Sequence, residues 1–304
     1  MSTTVETSDT IGLDPSADPG ASDLSPAIPH ADNRAVTIIQ ARRGWRALEM
    51  AELWRYRHVL WMFMLRDIKA QQKQTVLGVF WIIISPLVSV AAMTLVFARM
   101  LSVPSDGFPY PIFLFAGNFL WGQFSGAFSA ATGSVVGNSN FIQRVYFPRL
   151  MIPVSASMGT LVNSSIVFPM ILIVMLALGY TPQWTVVFCP LLILLVNATG
   201  LGMGLWFGPL NATYRDVGRI GAYVTMVGFY LTPVLYPATV FPERYRWLVV
   251  LNPMAGYITT FRACLYGSAF DWQLFLVAIA FTVLVLIGGA FFFTRLQGRF
   301  ADVI

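Results

Sequence analysis

Charge is what this sequence has least of. Only 11% of its 304 residues are Asp, Glu, Lys or Arg, less than half the share in an average soluble domain, and a water-facing surface cannot be built from so few. Histidine and lysine are scarcer still. The two histidines, His30 and His58, supply neither a metal-ligand pair nor a convincing base. The two lysines, Lys69 and Lys73, follow Ile68 and Gln72, so there is no Gly-Lys-[Ser/Thr] phosphate loop and no nucleotide is bound in that manner. Two cysteines, Cys189 and Cys264, are too few and too far apart along the chain for a disulfide framework. Beyond residue 33 the carboxylates are thinly spread, with no Asp-x-Asp pair of the kind a metal-dependent sugar transferase uses. The chain is therefore expected to be non-catalytic, with no metal site and no cofactor of its own.

What is abundant is apolar surface, at 57% of residues, arranged in long uncharged runs. No charged side chain lies between Lys73 and Arg99, Asp106 and Arg144, Arg149 and Arg215, Arg219 and Glu243, or Asp271 and Arg295. Each run can hold a helix of roughly 20 residues, the length that crosses a bilayer. The Arg149 to Arg215 run holds two, split at Gly179-Tyr180-Thr181-Pro182-Gln183. The expected fold is an all-α integral membrane protein with six transmembrane helices, near 76–100, 110–134, 151–178, 185–209, 219–241 and 272–294.

Basic residues near span ends are retained on the cytoplasmic side. With the N-terminus inside, the nine basic residues before the first span, together with Arg144, Arg149, Arg215, Arg219, Arg295 and Arg299, all fall inside, which accounts for 15 of the 19. The C-terminus is then also cytoplasmic, in a multi-pass membrane protein. Residues 1–33 differ from the rest, with six acidic residues, four prolines and no basic residue. They read as a disordered acidic cytoplasmic tail, and they lack the basic start and apolar core of a signal peptide. Residues 34–75 form a basic segment containing an amphipathic interface helix: Leu53, Leu60, Trp61, Met64, Leu65 and Ile68 share one face, while Arg55, Arg66, Lys69 and Lys73 fall mostly on the other. Such a helix either anchors to membrane lipids or helps frame a socket for a cytosolic partner. Residues 76–304 form the six-span domain.

Between Pro237 and Trp272 the chain is too long for a turn and too apolar for an ordinary loop. The 15 uncharged residues between Arg246 and Arg262 are interrupted by Asn252-Pro253 and are too few to cross. They read either as two short re-entrant helices on the outer side or as a loop packed on the bundle. In the re-entrant case Arg244, Arg246 and Arg262, with Asn252 and Pro253, would form an outer gate. Within the spans, Gly200, Gly204 and Gly208, and also Gly122 and Gly126, recur at four-residue intervals that allow close helix packing. The buried polar residues are neutral (Asn118, Gln123, Asn163 and Asn197), whereas an ion-coupled carrier would place an acid or base there. Energy must come from another chain. Aromatics make up 14% of residues. Phe108, Tyr110, Phe113, Trp121 and Phe124, with Phe229, Tyr230 and Tyr236, belong either to the interfacial belt or to a translocation path whose rings offer CH-π surface to sugars.

The order of short blocks from Trp54 onward resembles the transmembrane subunit of ABC-2 type exporters of the polysaccharide branch, which includes O-antigen and teichoic-acid exporters. The blocks are Lys73-Gln74-Thr75-Val76-Leu77-Gly78 before Trp81 and Pro86, Asn138-Ser139-Asn140 leading to Val145-Tyr146-Phe147-Pro148-Arg149, and Leu210-Asn211 with Tyr214-Arg215-Asp216-Val217. They continue with Pro233-Val234-Leu235-Tyr236-Pro237, Leu251-Asn252-Pro253-Met254 and Phe300-Ala301-Asp302-Val303-Ile304. The chain departs from the family pattern at Gln71-Gln72, Ser85 and Gln143, which bears on partner contacts and not on topology. The resemblance implies two copies of this chain working with two copies of an ATP-binding subunit that holds ATP and Mg. It also implies a lipid-linked polysaccharide substrate, such as a cell-wall galactan, and no nucleic acid. The loops from Asn138 to Arg149 and from Asn211 to Arg219 match the family's coupling segments. Arg144, Arg149, Arg215 and Asp216 are the expected force-transmitting residues there, and Tyr146, Phe147 and Tyr214 the apolar anchors. A membrane-embedded glycan-modifying enzyme would need a buried acid or histidine, and the spans offer none. An ATP-independent channel or scaffold would need no ATPase partner.

Overall fold

A computed structural model of the chain describes residues 56–72, 80–139, 141 and 147–299. The acidic tail, the basic segment up to residue 55, the Lys73–Gly78 and Phe300–Ile304 blocks, Arg144 and Tyr146 lie outside these described residues. All regular structure among the described residues is helical. The helices are α1 (Arg57–Gln72), α2 (Phe80–Thr94, continued by a π-helical turn Leu95–Met100), α3 (Tyr110–Gly137) and α4 (Met151–Ala177). They are followed by α5 (Cys189–Thr213, preceded by a 3-10 turn Trp184–Phe188), α6 (Asp216–Leu231), α7 (Arg246–Leu251), α8 (Pro253–Tyr266) and α9 (Trp272–Leu296).

Four of these segments are long and apolar enough to cross a membrane: Phe80–Met100, Met151–Ala177, Trp184–Thr213 and Trp272–Leu296. The bent pair Glu243–Leu251 and Pro253–Tyr266 makes a fifth if counted as one span. Five of the six spans expected from the sequence coincide with helices to within a few residues. The one expected at 219–241 does not, because α6 ends at Leu231. Pro233 has no N–H to donate and disfavours helix in the residue before it. At 16 residues, α6 is about 24 Å long, short of a bilayer's hydrocarbon core.

Helix α3 is the axis of the bundle, with 18 of its 28 residues buried. It carries no charge, yet it is the least apolar of the long helices, because protein and not lipid surrounds it. Its closest partner is α5, and the Gly200, Gly204, Gly208 stripe explains why. A Cβ on Gly200 would stand 2.6 Å from the Phe124 carbonyl oxygen and 2.8 Å from the Ala127 Cβ, and one on Gly204 would meet Ala131. The two backbones therefore touch along three turns, as small-residue stripes permit where water cannot drive association. The second stripe does no such work: Gly122 faces open space and Gly126 makes only an ordinary contact with Thr160, at 3.6 Å. On the opposite side of α5, Gly202 meets the backbone of α9 at Leu286, 2.9 Å from where its Cβ would be.

Two buried polar knots add direction to this packing. Gln123 on α3 donates to Thr160 on α4 (2.9 Å) and to Asn197 on α5 (2.8 Å), and Ser164 on α4 donates back to the Gln123 carbonyl oxygen. In the other, the Thr282 hydroxyl on α9 lies 2.7 Å from Thr199 on α5 and 2.6 Å from the Tyr257 hydroxyl on α8. Every member is neutral and paired, which is the condition for such groups to stabilise a dry interior. Cys189 and Cys264 are buried, free thiols of the main core cluster.

The α7–α8 pair turns through 93° at Asn252, the junction expected from Asn252-Pro253. The Asn252 side chain accepts from the Met254 N–H at 3.0 Å and Pro253 opens α8, so the first orphan donors are satisfied. At the start of α9 the Asp271 carboxylate accepts from Leu274 N–H at 3.1 Å.

Replacing Gly200 by leucine forces α5 away from α3 and is expected to cost about 1–3 kcal/mol in detergent-solubilised thermal unfolding. Gly133→Ala, where a Cβ meets nothing within 4 Å, is expected to leave the midpoint unchanged or slightly raised.

Candidate functional site

One face of this bundle is concave. A groove of about 450 Å³ runs between α2, α3 and α6, lined by Met93, Asn118, Trp121, Gly122 and Ser125 on one side and by Ala222, Thr225, Met226, Phe229 and Tyr230 on the other. Its α3 wall follows helical spacing, since positions 118, 121, 122 and 125 share one face. The α6 wall carries Thr225, Phe229 and Tyr230. Phe229 packs edge-on to Trp121, with ring centres 6.1 Å apart, and Tyr230 edge-on to Phe229 at 5.3 Å. Gly228 lets α6 approach: a Cβ there would lie 2.8 Å from the Trp121 ring. No titratable acid, base or cation lines this groove apart from the Tyr230 phenol. Chemically it offers aromatic faces plus amide and hydroxyl groups, a surface suited to a neutral, hydroxyl-rich chain that must slide and not stick.

Of the eight aromatics named from the sequence, the structure brings Trp121, Phe229 and Tyr230 together here. Tyr236 stands beside them, donating its hydroxyl to the Tyr230 carbonyl at 2.7 Å. Phe113 and Phe124 lie in the chain's own core, and Tyr110 is buried with its hydroxyl on the Leu235 carbonyl at 2.7 Å. Phe108 is half-buried, its ring centre 4.1 Å from that of Tyr266.

The three arginines named for a gate separate in the same way. Arg244 and Arg246 are exposed, Arg246 reaching Asp271 at 3.7 Å. Arg262 is 4% exposed. Its guanidinium donates to the carbonyls of Phe113 (3.1 Å), Pro233 (2.9 Å) and Val234 (2.8 Å), and lies 3.4 Å from the Phe113 ring centre. It thus faces protein and not an opening, because a charge so deeply buried requires its donors to be used.

At the far end of the bundle, α1 meets the segment that follows α3. Arg66 donates to the Asn138 side-chain oxygen (2.5 Å) and lies 4.9 Å from the ring centres of both Phe63 and Phe141. Phe147 is buried against Phe63, ring centres 5.4 Å apart, in a cluster with Leu60, Met151 and Phe293. The face of α1 that packs is therefore Leu60, Phe63 and Met64, while Trp61 and Met62 are exposed; Phe63 draws the helix round because two aromatic partners flank it. Arg149 donates to the Gln297 carbonyl at the end of α9. Nearby, Tyr214, Arg215, Asp216 and Arg219 are exposed, with Asp216 and Arg219 paired at 3.1 Å.

A family model described as ABC-2 type transporter matches residues 58–266, which includes both the groove and this exposed turn. The chain belongs to the ABC-2 type transporter family. It is similar to O-antigen export system permease protein RfbA of Myxococcus xanthus, with 28% identity over 256 residues covering 83% of this chain and 98% of that protein. It is also similar to O-antigen export system permease protein RfbA of Klebsiella pneumoniae, with 26% identity over 240 residues covering 79% of this chain and 92% of the relative. As an ABC-2 transporter the chain is a multi-pass membrane protein.

Two features of this ABC-2 chain carry sequence signals that were not given a role above. Asn118 and Ser125 flank Gly122 on one face of α3 and give the groove its polar stripe. Asn211, next to the exposed turn, accepts from the Gly218 N–H (2.9 Å) and donates to the Thr132 carbonyl (3.3 Å), tying α5, α6 and α3 at one point. Asn211→Ala is expected to lower stability by about 1 kcal/mol, measurable by thermal unfolding. Asp216→Ala removes only an exposed ion pair and should leave the midpoint unchanged.

Proposed function

We propose that this chain is the permease subunit of an ABC exporter that carries a lipid-linked polysaccharide across a bacterial cytoplasmic membrane. Two copies work with two copies of a separate subunit that hydrolyses ATP. The observation that carries this reading is the groove, aromatic, hydroxyl- and amide-bearing and without charge, in a chain whose relatives are permeases of O-antigen export systems. A sugar polymer is neutral along most of its length and presents C–H faces and hydroxyls. Rings such as Trp121, Phe229 and Tyr230 supply CH-π surface, while Asn118, Ser125 and Thr225 exchange weak hydrogen bonds, so successive residues pass without a deep minimum.

In this reading the membrane is crossed six times. Helix α3 crosses although it is polar for its length, because the other helices enclose it. Helix α6 crosses with help from the buried non-helical residues after it, and α7 and α8 are re-entrant on the outer side. Both termini are cytoplasmic, which places α1, the Asn138 and Arg149 region and the Tyr214–Arg219 turn on the side where ATP is available. The exposed Tyr214, Arg215 and Asp216 meet the ATPase. Arg66 and Phe147 act from within, holding the two ends of the neighbouring loop onto α1, and Arg149 links the same loop to the end of α9. Force applied to that loop then reaches α1, α4 and α9 together. No acid or base is available in the groove to couple movement to an ion gradient, so the drive comes from the partner.

The central test is reconstitution in proteoliposomes with the cognate ATPase and a lipid-linked glycan. Movement of glycan to the lumen should require both hydrolysable ATP and the ATPase, and undiminished movement without the ATPase would overturn the proposal. Tyr230→Ala is expected to slow glycan movement several-fold while ATP turnover persists. Asp216→Ala and Arg149→Ala should each reduce glycan moved per ATP hydrolysed, and wild-type coupling in either would remove that residue from the mechanism.

A further inference from the structure

The α6 wall of the groove is loosely held along its length. Only Gly221 of its 16 residues is buried, and its approach to α3 rests on small contacts, Gly221 against Phe128 and Gly228 against Trp121. Beyond Leu231 the chain leaves helical geometry, yet Thr232, Pro233, Val234 and Leu235 are all buried. Carbonyls buried in non-helical backbone at this depth have no water to turn to and must be given donors. Two side chains from other helices provide them: Arg262 on α8 serves Pro233 and Val234, and Tyr110 on α3 serves Leu235. Asn252, at the α7–α8 bend, donates to the Thr232 hydroxyl at 2.8 Å.

The same guanidinium also grips α3. It donates to the Phe113 carbonyl from both Nε and Nη2 and lies against the Phe113 ring. Space for it comes from Gly117, where a Cβ would stand 2.7 Å from Nη2 and 2.9 Å from the Val234 carbonyl oxygen. Among the described residues none of the ion pairs involves Arg262; this cation is held by carbonyls and by the Phe113 ring. Its planar fork of donors bridges two elements at once, which a lysine ammonium on a flexible stem cannot reproduce.

We propose that Arg262 is a positioning residue: by clasping the Pro233–Val234 carbonyls to Phe113 it fixes the end of α6 against α3 and so sets the width of the groove. This rests on reading the groove as the glycan path, but the clasp itself is testable without glycan. None of the hydrogen bonds of Arg262 goes to a groove-lining residue; its effect is exerted through the backbone that follows Tyr230. The closer is Gly117, whose hydrogen side chain is what lets the guanidinium seat.

The test is a spin-label distance between Leu194→Cys on α5 and Val227→Cys on α6, both exposed and neither in the groove lining, with the native thiols buried. Labelled chain is diluted into unlabelled wild type so that only distances within one copy are read. The wild type should give a single narrow distribution, and Arg262→Lys, which keeps the charge, should broaden or displace it by roughly 1–2 Å or more. Gly117→Ala, which crowds the guanidinium without removing it, should produce the same change and serves as the test if Arg262→Lys fails to fold. An unchanged narrow distribution in a folded variant overturns the clasp. A changed distribution with glycan movement still at the wild-type rate supports the clasp and overturns the reading of the groove as the path.

Discussion

Backbone polar groups at membrane depth have no water to bond with, and most of this structure follows from that one constraint. Helices satisfy it internally, which is why most of each uncharged run is helical where it is described. Where the helical ladder stops, the chain must find donors and acceptors elsewhere. The Asn252 and Asp271 side chains do this at two helix starts. Arg262 does it for the stretch after α6, and among the described residues it is the one charged side chain that is buried. The cost of burying that charge is offset by the four donor contacts it makes to three carbonyls and by the ring beneath it.

The constraint also sorts the helices by their neighbours. Helix α3 is surrounded by protein and so can afford Gln123, Asn118 and a row of serines, threonines and glycines. Helix α2, of which only Val90 is buried, is mostly apolar because the described residues cover only one edge of it. Helix α6 stands between the two cases, with one edge on α3 and the rest open, and the groove forms where its loose edge leaves α3. A concave, uncharged, aromatic surface thus arises beside a helix held to the core along one edge.

The spans were legible because hydrocarbon thickness sets a length and charge is excluded from it, and both show in a one-dimensional pattern. Five of the six expected spans coincide with helices, and four of those are long and apolar enough to cross. The Asn252 bend was legible from Asn-Pro and from the short interval between Arg246 and Arg262. The premature end of α6 was not, although Pro233 marks it, because an uncharged run looks the same whether helical or irregular. The glycine stripes show the same limit: Gly200, Gly204 and Gly208 meet a neighbouring backbone, Gly122 and Gly126 do not, and spacing alone does not say what lies opposite.

The sequence by itself determined that this is a helical membrane protein, where most of its long helices begin, and which family it resembles, since those depend on local composition and on short blocks in order. Only the tertiary structure decided which residues do what. Trp121, Phe229 and Tyr230 share a groove while Phe113 and Phe124 fill the core, and Arg262 faces carbonyls while Arg244 and Arg246 face outward. The physical reason is that exposure and hydrogen bonding belong to pairs of helices, and the identity of an α-helix's neighbour is not written in its own periodicity.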